Sequence, residues 1–151
     1  MAPAALPRIR DRVHAAGLKG SWITSDKGEI PRGVKGAYLL LVGLEKALSV
    51  GAGRHRTGYL PAGTYLYAGS AYGAGGLSAR IGRHFRKDKK VHWHIDRLTL
   101  EAGTLAAFSV EGGDECRLVR TLIEAGGMRP AMAGFGSTDC RTCLSHLLAM
   151  D

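Results

Sequence analysis

The sequence contains no apolar run close to the roughly 20 residues that a membrane-spanning helix needs, so a helical membrane protein is excluded. Cysteine is scarce. Three unevenly spaced residues form an odd set, which argues against a secreted disulfide scaffold and for a reducing compartment. Arg8 and Arg10 are followed by no apolar stretch, so no secretory signal is expected and the expected location is cytoplasmic. Acidic groups are also in short supply: 13 Asp and Glu stand against 21 Lys and Arg, a net charge of +8, with a pI ≈ 9.8. That imbalance favours a polyanionic partner. What is plentiful is apolar residues, at 45%, and glycine, with 22. The first is enough for a core and excludes global disorder. The second implies many turns and close backbone approaches rather than a helical bundle. The 151 residues suit one domain.

Residues 1–35 read as an N-terminal extension. Arg8 to Ala16 predicts a short helix ended by Gly17, and Trp22-Ile23-Thr24 a strand fragment. Asp26-Lys27-Gly28 and Pro31-Arg32-Gly33 read as turn and linker. The organised domain spans 36–151. Tyr38 to Leu44 is a continuous apolar run that predicts a buried strand. Ala47 to Val50 predicts a short second strand, followed by a glycine-punctuated loop carrying Arg54, His55 and Arg56. A third strand runs from Gly63 to Gly69. The period then changes: Leu77, Ile81 and Phe85 predict an amphipathic helix to about Arg86. His92 to Leu100 predicts a second helix and Thr104 to Val110 a strand. Asp114 is a suitable N-cap for a last helix with Leu118, Val119, Leu122 and Ile123 inward, stopped at Gly126-Gly127. The order ββ(β)ααβα implies an α+β fold, a small and mainly antiparallel sheet flanked by helices.

Charge concentrates at 80–97, where Arg80, Arg83, Arg86, Lys87, Lys89, Lys90 and Arg97 face only Asp88 and Asp96. His84, His92, His94, Phe85 and Trp93 lie among them. Basic groups neutralise phosphates and aromatics stack on bases; the competing reading is a solvated, charged helix face. On the predicted helix His84 lies beside the apolar stripe and Arg80 just beyond it, on one flank. Arg83 and Lys87 extend that flank toward solvent. Such a seam is where a strand tyrosine can meet them.

Gly36-Ala37-Tyr38 on one strand, Tyr67-Ala68-Gly69 on a later one, and Arg80 with His84 on the next helix resemble the GIY-YIG nuclease superfamily. Glu115, early in the last helix, fits that superfamily's metal-binding glutamate. The resemblance covers about 36–148. Tyr67-Ala68-Gly69-Ser70-Ala71, His92-Trp93-His94-Ile95-Asp96, Glu115-Cys116 and the stretch from Gly134 to Cys140 look more specifically like one small branch, some of whose members are fused to a base-excision DNA glycosylase. The spacing departs from the superfamily: 29 positions separate Tyr38 from Tyr67, so an inserted hairpin is expected between them. Tyr65, in Gly63-Thr64-Tyr65, is a second candidate for the first tyrosine.

The resemblance implies a metal-dependent endonuclease acting on DNA, in a repair setting at damaged or deaminated bases, with a glycosylase as an expected partner and RNA left open. Tyr38 and Tyr67 would supply the base that deprotonates water, Arg80 would bind the scissile phosphate, and His84 would accept the tyrosine proton. Glu115 would hold one Mg²⁺ or Mn²⁺, with Asp114 and Glu111 as competitors. An unperturbed tyrosine, with a pKa of about 10, is a poor base at neutral pH and needs such help. Arg83, Arg86, Lys87, Lys89, Lys90, His92 and His94 are the expected DNA contacts. His92 and Asp96 would share a helix face and tie it down. Cys140, Cys143 and His146 have the look of a zinc site but offer three ligands where structural zinc takes four. Cys116 or Asp139 is the available fourth, and packed free thiols are the preferred reading. Phe135 either packs inward or presents a ring to a base. The rival function is a non-catalytic nucleic-acid-binding module of the same fold.

Overall fold

The computed structural model describes residues 5–24, 28–30, 32–51, 57–132, 135 and 145–150. Its elements run α1 (Ala5–Ala15), β1 (Ser21–Ile23), β2 (Gly36–Leu44), β3 (Leu48–Gly51), β4 (Thr57–Leu60), β5 (Gly63–Ala71), α2 (Gly76–Phe85), α3 (His94–Glu101), β6 (Thr104–Glu111), α4 (Glu115–Ala125), β7 (Met128–Pro130) and β8 (Leu147–Met150). Six strands form one sheet in the order β1-β6-β2-β5-β8-β7, and every neighbouring pair is antiparallel. The fold is α+β, as expected. The loop residues Arg54, His55 and Arg56, and Asp26, Lys27 and Pro31, lie outside the described residues.

β2 is central, and every one of its residues is buried. Its alternate side chains serve two cores. Tyr38, Leu40, Val42 and Leu44 pack with Leu77 and Ile81 of α2 and Ile95 and Leu98 of α3. Ala37, Leu39 and Leu41 pack with Ile9 and Val13 of α1 and Leu118, Val119 and Leu122 of α4. A strand covered on both faces needs no polar alternation, which is why this segment reads as an unbroken apolar run. The segment before residue 36 is built into the same body: β1 pairs with β6, and Ile9 and Val13 are fully buried.

The insertion is a two-stranded hairpin, β3 with β4. It leaves the β2–β5 pairing intact from Gly36↔Ala71 to Leu44↔Gly63. β7 and β8 extend the sheet beyond β5 and were not expected from the pattern. Each is short, at three and four residues, too short for a period of two to emerge.

Two packing expectations need correction. His84, not Phe85, completes the buried stripe of α2: Leu77, Ile81 and His84 are buried, while Phe85 is partly exposed. At about 100° per residue, Leu77 and His84 differ by only about 20° in azimuth, whereas Phe85 has drifted by about 80°. Likewise Ile123 is 39% exposed. The inward stripe of α4 is Leu118, Val119 and Leu122, and the next residue turns off it.

Candidate active site

Tyr38 and Tyr67 project from the same face of adjacent strands. Tyr38 lies opposite Gly69, and Tyr67 opposite Leu40, so the two rings are diagonal neighbours. Gly69 makes this possible, because a Cβ there would lie 2.3 Å from the Tyr38 ring and hydroxyl. Tyr38 is 1% exposed and His84 is 0% exposed. The Tyr38 hydroxyl and His84 Nε2 are 2.6 Å apart. His84 Nδ1 is buried and has no hydrogen-bond partner among the described residues. Burial pushes the Tyr38 hydroxyl far above the usual phenol range; neighbouring Tyr67 adds to this and Arg80 opposes it. The Tyr67 hydroxyl is pushed up to about 12, again by burial first, with Arg80 opposing. Burial, aided by Lys89, pulls His84 down to about 3, so the imidazole is neutral at ordinary pH.

The Arg80 guanidinium carbon lies 4.5 Å from the centre of the Trp93 ring, and that of Arg83 lies 4.4 Å from it. Here the two arginines part company. Arg83 is committed to Asp96, donating at 2.6 and 2.9 Å to its two carboxylate oxygens. Among the described residues no carboxylate lies within ion-pair distance of Arg80. Arg80, Tyr38, Tyr67 and Glu115 line a shared cleft of about 400 Å³, with Gly69, Ser70, Tyr72, Cys116 and His146 completing its walls. Glu115 is the first residue of α4, and the Asp114 carboxylate caps that helix by accepting from the backbone N–H groups of Cys116 and Arg117. Asp114 is therefore occupied, whereas Glu115 faces the cleft. A single hard carboxylate in an open cleft suits a divalent ion that keeps most of its waters. Glu111 ends β6 and does not line the cleft. Tyr65 is also elsewhere: its hydroxyl donates to the carbonyl of Pro61 at 2.5 Å.

The expected DNA contacts divide. Lys89 turns inward, with its side chain 4% exposed. Its ammonium donates to the carbonyls of Arg83 and His84 at 3.1 and 2.9 Å and so closes the end of α2. Lys87 donates to the Thr99 carbonyl, and Arg83 is bound as described, so neither simply extends into solvent as the helical wheel suggested. Arg86 is exposed and pairs with Asp88 at 3.1 Å. Lys90, His92 and His94 are exposed.

The expected His92–Asp96 link is replaced. The helix begins at His94, so His92 precedes it. Asp96 accepts instead from the backbone N–H groups of His92 and Trp93, at 2.8 and 2.9 Å, and from Arg83. Burial alone would raise this carboxyl, but the Arg83 guanidinium and those two N–H groups outweigh it and hold Asp96 well below the carboxylate range. The roles of Trp93 as a platform for Arg80 and of Asp96 as the partner of Arg83 were missed. A capping carboxylate three residues after Trp93 was the available signal.

Phe135 packs inward, fully buried, against the Tyr67 and His94 rings. Cys116 Sγ lies 3.4 Å from His146 Nε2. Cys140, Cys143 and Asp139 lie outside the described residues, as do Gly134 and Gly136. Among the described residues no group of three or more metal-ligating side chains is gathered, and no helix is long and apolar enough to cross a membrane. No curated protein matches the chain, and no solved structure does. The chain belongs to the family described as Domain of unknown function DUF123, whose model matches residues 37–151.

Proposed function

We propose that the chain is a metal-dependent endonuclease that hydrolyses DNA phosphodiester bonds. The observation that supports this most is convergence. Tyr38 from β2, Tyr67 from β5, Arg80 from α2 and Glu115 from α4 line one cleft, although they are spread over about half of the sequence. The resemblance to GIY-YIG nucleases rests on the same residues.

Arg80, which meets no carboxylate among the described residues, would bind the oxygens of the scissile phosphate and offset the charge that grows on them in the transition state. Tyr38 would take a proton from the attacking water while passing its own to His84 Nε2. The neutral imidazole leaves Nε2 free to accept that proton; burial weakens it as a base, and the negative phosphate at Arg80 would offset this by favouring the imidazolium. The water oxygen then bonds to phosphorus as the P–O bond of the leaving nucleotide breaks. Tyr67 would stay protonated and donate to the water or to a phosphate oxygen. Glu115 would hold Mg²⁺ or Mn²⁺, which when bound stabilises charge on the leaving oxygen. A cytoplasmic repair role alongside a base-excision glycosylase follows from the resemblance alone.

The test is Mg²⁺-dependent cleavage of end-labelled single-stranded DNA, duplex DNA and RNA by the intact chain. Cleavage should require the metal and be lost in Glu115→Gln, with binding retained. Full activity in Glu115→Gln would remove that residue from the metal site. Binding without cleavage by the intact chain would favour a nucleic-acid-binding module of the same fold.

A further inference from the structure

A second cavity, of about 570 Å³, adjoins the first. The two share Tyr38, Tyr67 and Arg80. Beyond these, its lining includes Val91, His92, His94, Arg97 and Phe135. His84, the proposed proton acceptor, also lines it, but the hydrolytic steps leave Val91, His92, His94, Arg97 and Phe135 unused. Its size falls within the roughly 300–1,000 Å³ of small-molecule sites. Its walls carry flat rings and apolar surface: the His92 ring meets Trp93 edge-on with centroids 5.0 Å apart, and the His94 ring lies tilted against Phe135 at 6.1 Å. Val91 is left 55% exposed at its mouth. An exposed apolar residue beside two exposed imidazoles is poorly explained as a solvated face.

We propose that this cavity receives a nucleobase adjoining the phosphate held at Arg80, unpaired and drawn out of its stack. A phosphate at Arg80 places the attached nucleoside within reach of the neighbouring cavity, because Arg80 forms part of both walls. Rings and apolar side chains then cover the base, while His92, His94 and Arg97 offer polar groups to its edge. Base-on-ring contact is tolerant of sequence. A base that is still paired cannot enter a cavity of this kind, so the enzyme should favour DNA that is unpaired at one nucleotide beside the cut. This inference rests on the phosphodiester reading of the adjoining cleft.

The experiment uses the full chain and three 21-nucleotide duplexes: fully paired, carrying one central bulged thymidine, and carrying a tetrahydrofuran abasic residue in place of that thymidine. Affinity is read by fluorescence anisotropy without divalent metal, and cleavage is read separately with Mg²⁺. The thymidine bulge should bind on the order of ten-fold more tightly than the paired duplex, and the abasic bulge should lose most of that gain. His94→Ala and Val91→Ser both change exposed side chains, and each should shrink the ratio between thymidine and abasic bulges. If the thymidine and abasic bulges bind alike in the intact chain, the base pocket is wrong, even if cleavage proceeds. If both variants keep the full ratio, the pocket is likewise wrong. If the chain neither binds nor cuts any of the three, the phosphodiester reading falls and takes the pocket with it.

Discussion

The Tyr38 hydroxyl and His84 Nε2, 2.6 Å apart, bridge β2 and α2 inside the core, while the other imidazole nitrogen has no hydrogen-bond partner among the described residues. A buried polar atom left without a partner costs stability, and sites that accept such a cost are often functional. In the proposed reaction the pair acts as one unit. Tyr38→Phe should then lower single-turnover cleavage by about 10²–10⁴-fold, and His84→Gln by a comparable factor. The double variant should be little slower than the worse single, because residues acting together are non-additive. Losses that multiply would show that His84 does not serve Tyr38.

The same imidazole sets a pH dependence of stability. Its pKa is about 3 in the fold and about 6.5 when unfolded. Between those values the unfolded chain binds a proton that the folded chain refuses. The stability contributed by neutral His84 is therefore complete above about pH 6.5 and is lost progressively as pH falls toward 3. Asp96 is depressed in the fold, so its contribution is complete above the ordinary carboxylate pKa and is lost only below it. Urea unfolding between pH 7 and 4.5 should show a slope approaching about 1.4 kcal/mol per pH unit, and His84→Gln should flatten it. Equal slopes in the two proteins would assign the effect elsewhere.

The cationic stretch at 80–97 divides into structural and exposed members, and substitution should separate them. Arg83→Ala strands the fully buried Asp96 carboxylate, and breaking one side of a buried pair costs about 3–5 kcal/mol. Two backbone N–H groups and Lys89, at 4.0 Å, keep the expected loss near the lower figure. Lys89→Ala should also cost stability, by removing the donor to the last carbonyls of α2. Lys90→Ala should leave the denaturation midpoint in place and, if Lys90 touches one phosphate, reduce the salt slope of duplex binding by about 0.9. A destabilised Lys90→Ala with an unchanged slope would reverse this division.

How much of this was legible in the sequence depended on the range of the interactions involved. β2 was legible because its apolar run is continuous, and α4 because Asp114 marks its start. The inserted hairpin was legible from the distance between Tyr38 and Tyr67. The joining of β1 to β6 was not, since a three-residue strand gains its pairing from a partner 86 positions away, as in Trp22↔Phe108; the two rings then pack 5.1 Å apart. At the site, the family resemblance singled out Tyr38, Tyr67, Arg80, His84 and Glu115, but not their division of labour with Trp93 and Asp96. Along the chain, Arg83 and Lys87 read as solvent-facing extensions of the flank that carries Arg80. Only the fold shows that Arg83 faces a buried carboxylate while, among the described residues, Arg80, three residues earlier, meets none.

Gly69 provides the sharpest test of the geometry. Its Cβ position is occupied by the Tyr38 ring, with the nearest ring atom and the hydroxyl both at 2.3 Å. Gly69→Ala must therefore displace either the ring or the β5 backbone. The ring is wedged between the sheet and α2, so overpacking of about 1–3 kcal/mol is expected, together with loss of the hydrogen bond to His84 and a fall in cleavage rate. If contact with Tyr38 is the cause, removing the ring should remove the penalty. In a Tyr38→Leu background the same glycine substitution should cost much less stability, leaving a coupling energy of about 1 kcal/mol or more, within the usual range for residues in direct contact. Activity should not return in the double variant, because the hydroxyl is absent. Chemical denaturation of the wild type, the two singles and the double closes the cycle. Strictly additive costs would mean that Gly69 is required for strand conformation alone, and that the Tyr38 ring does not rest on it.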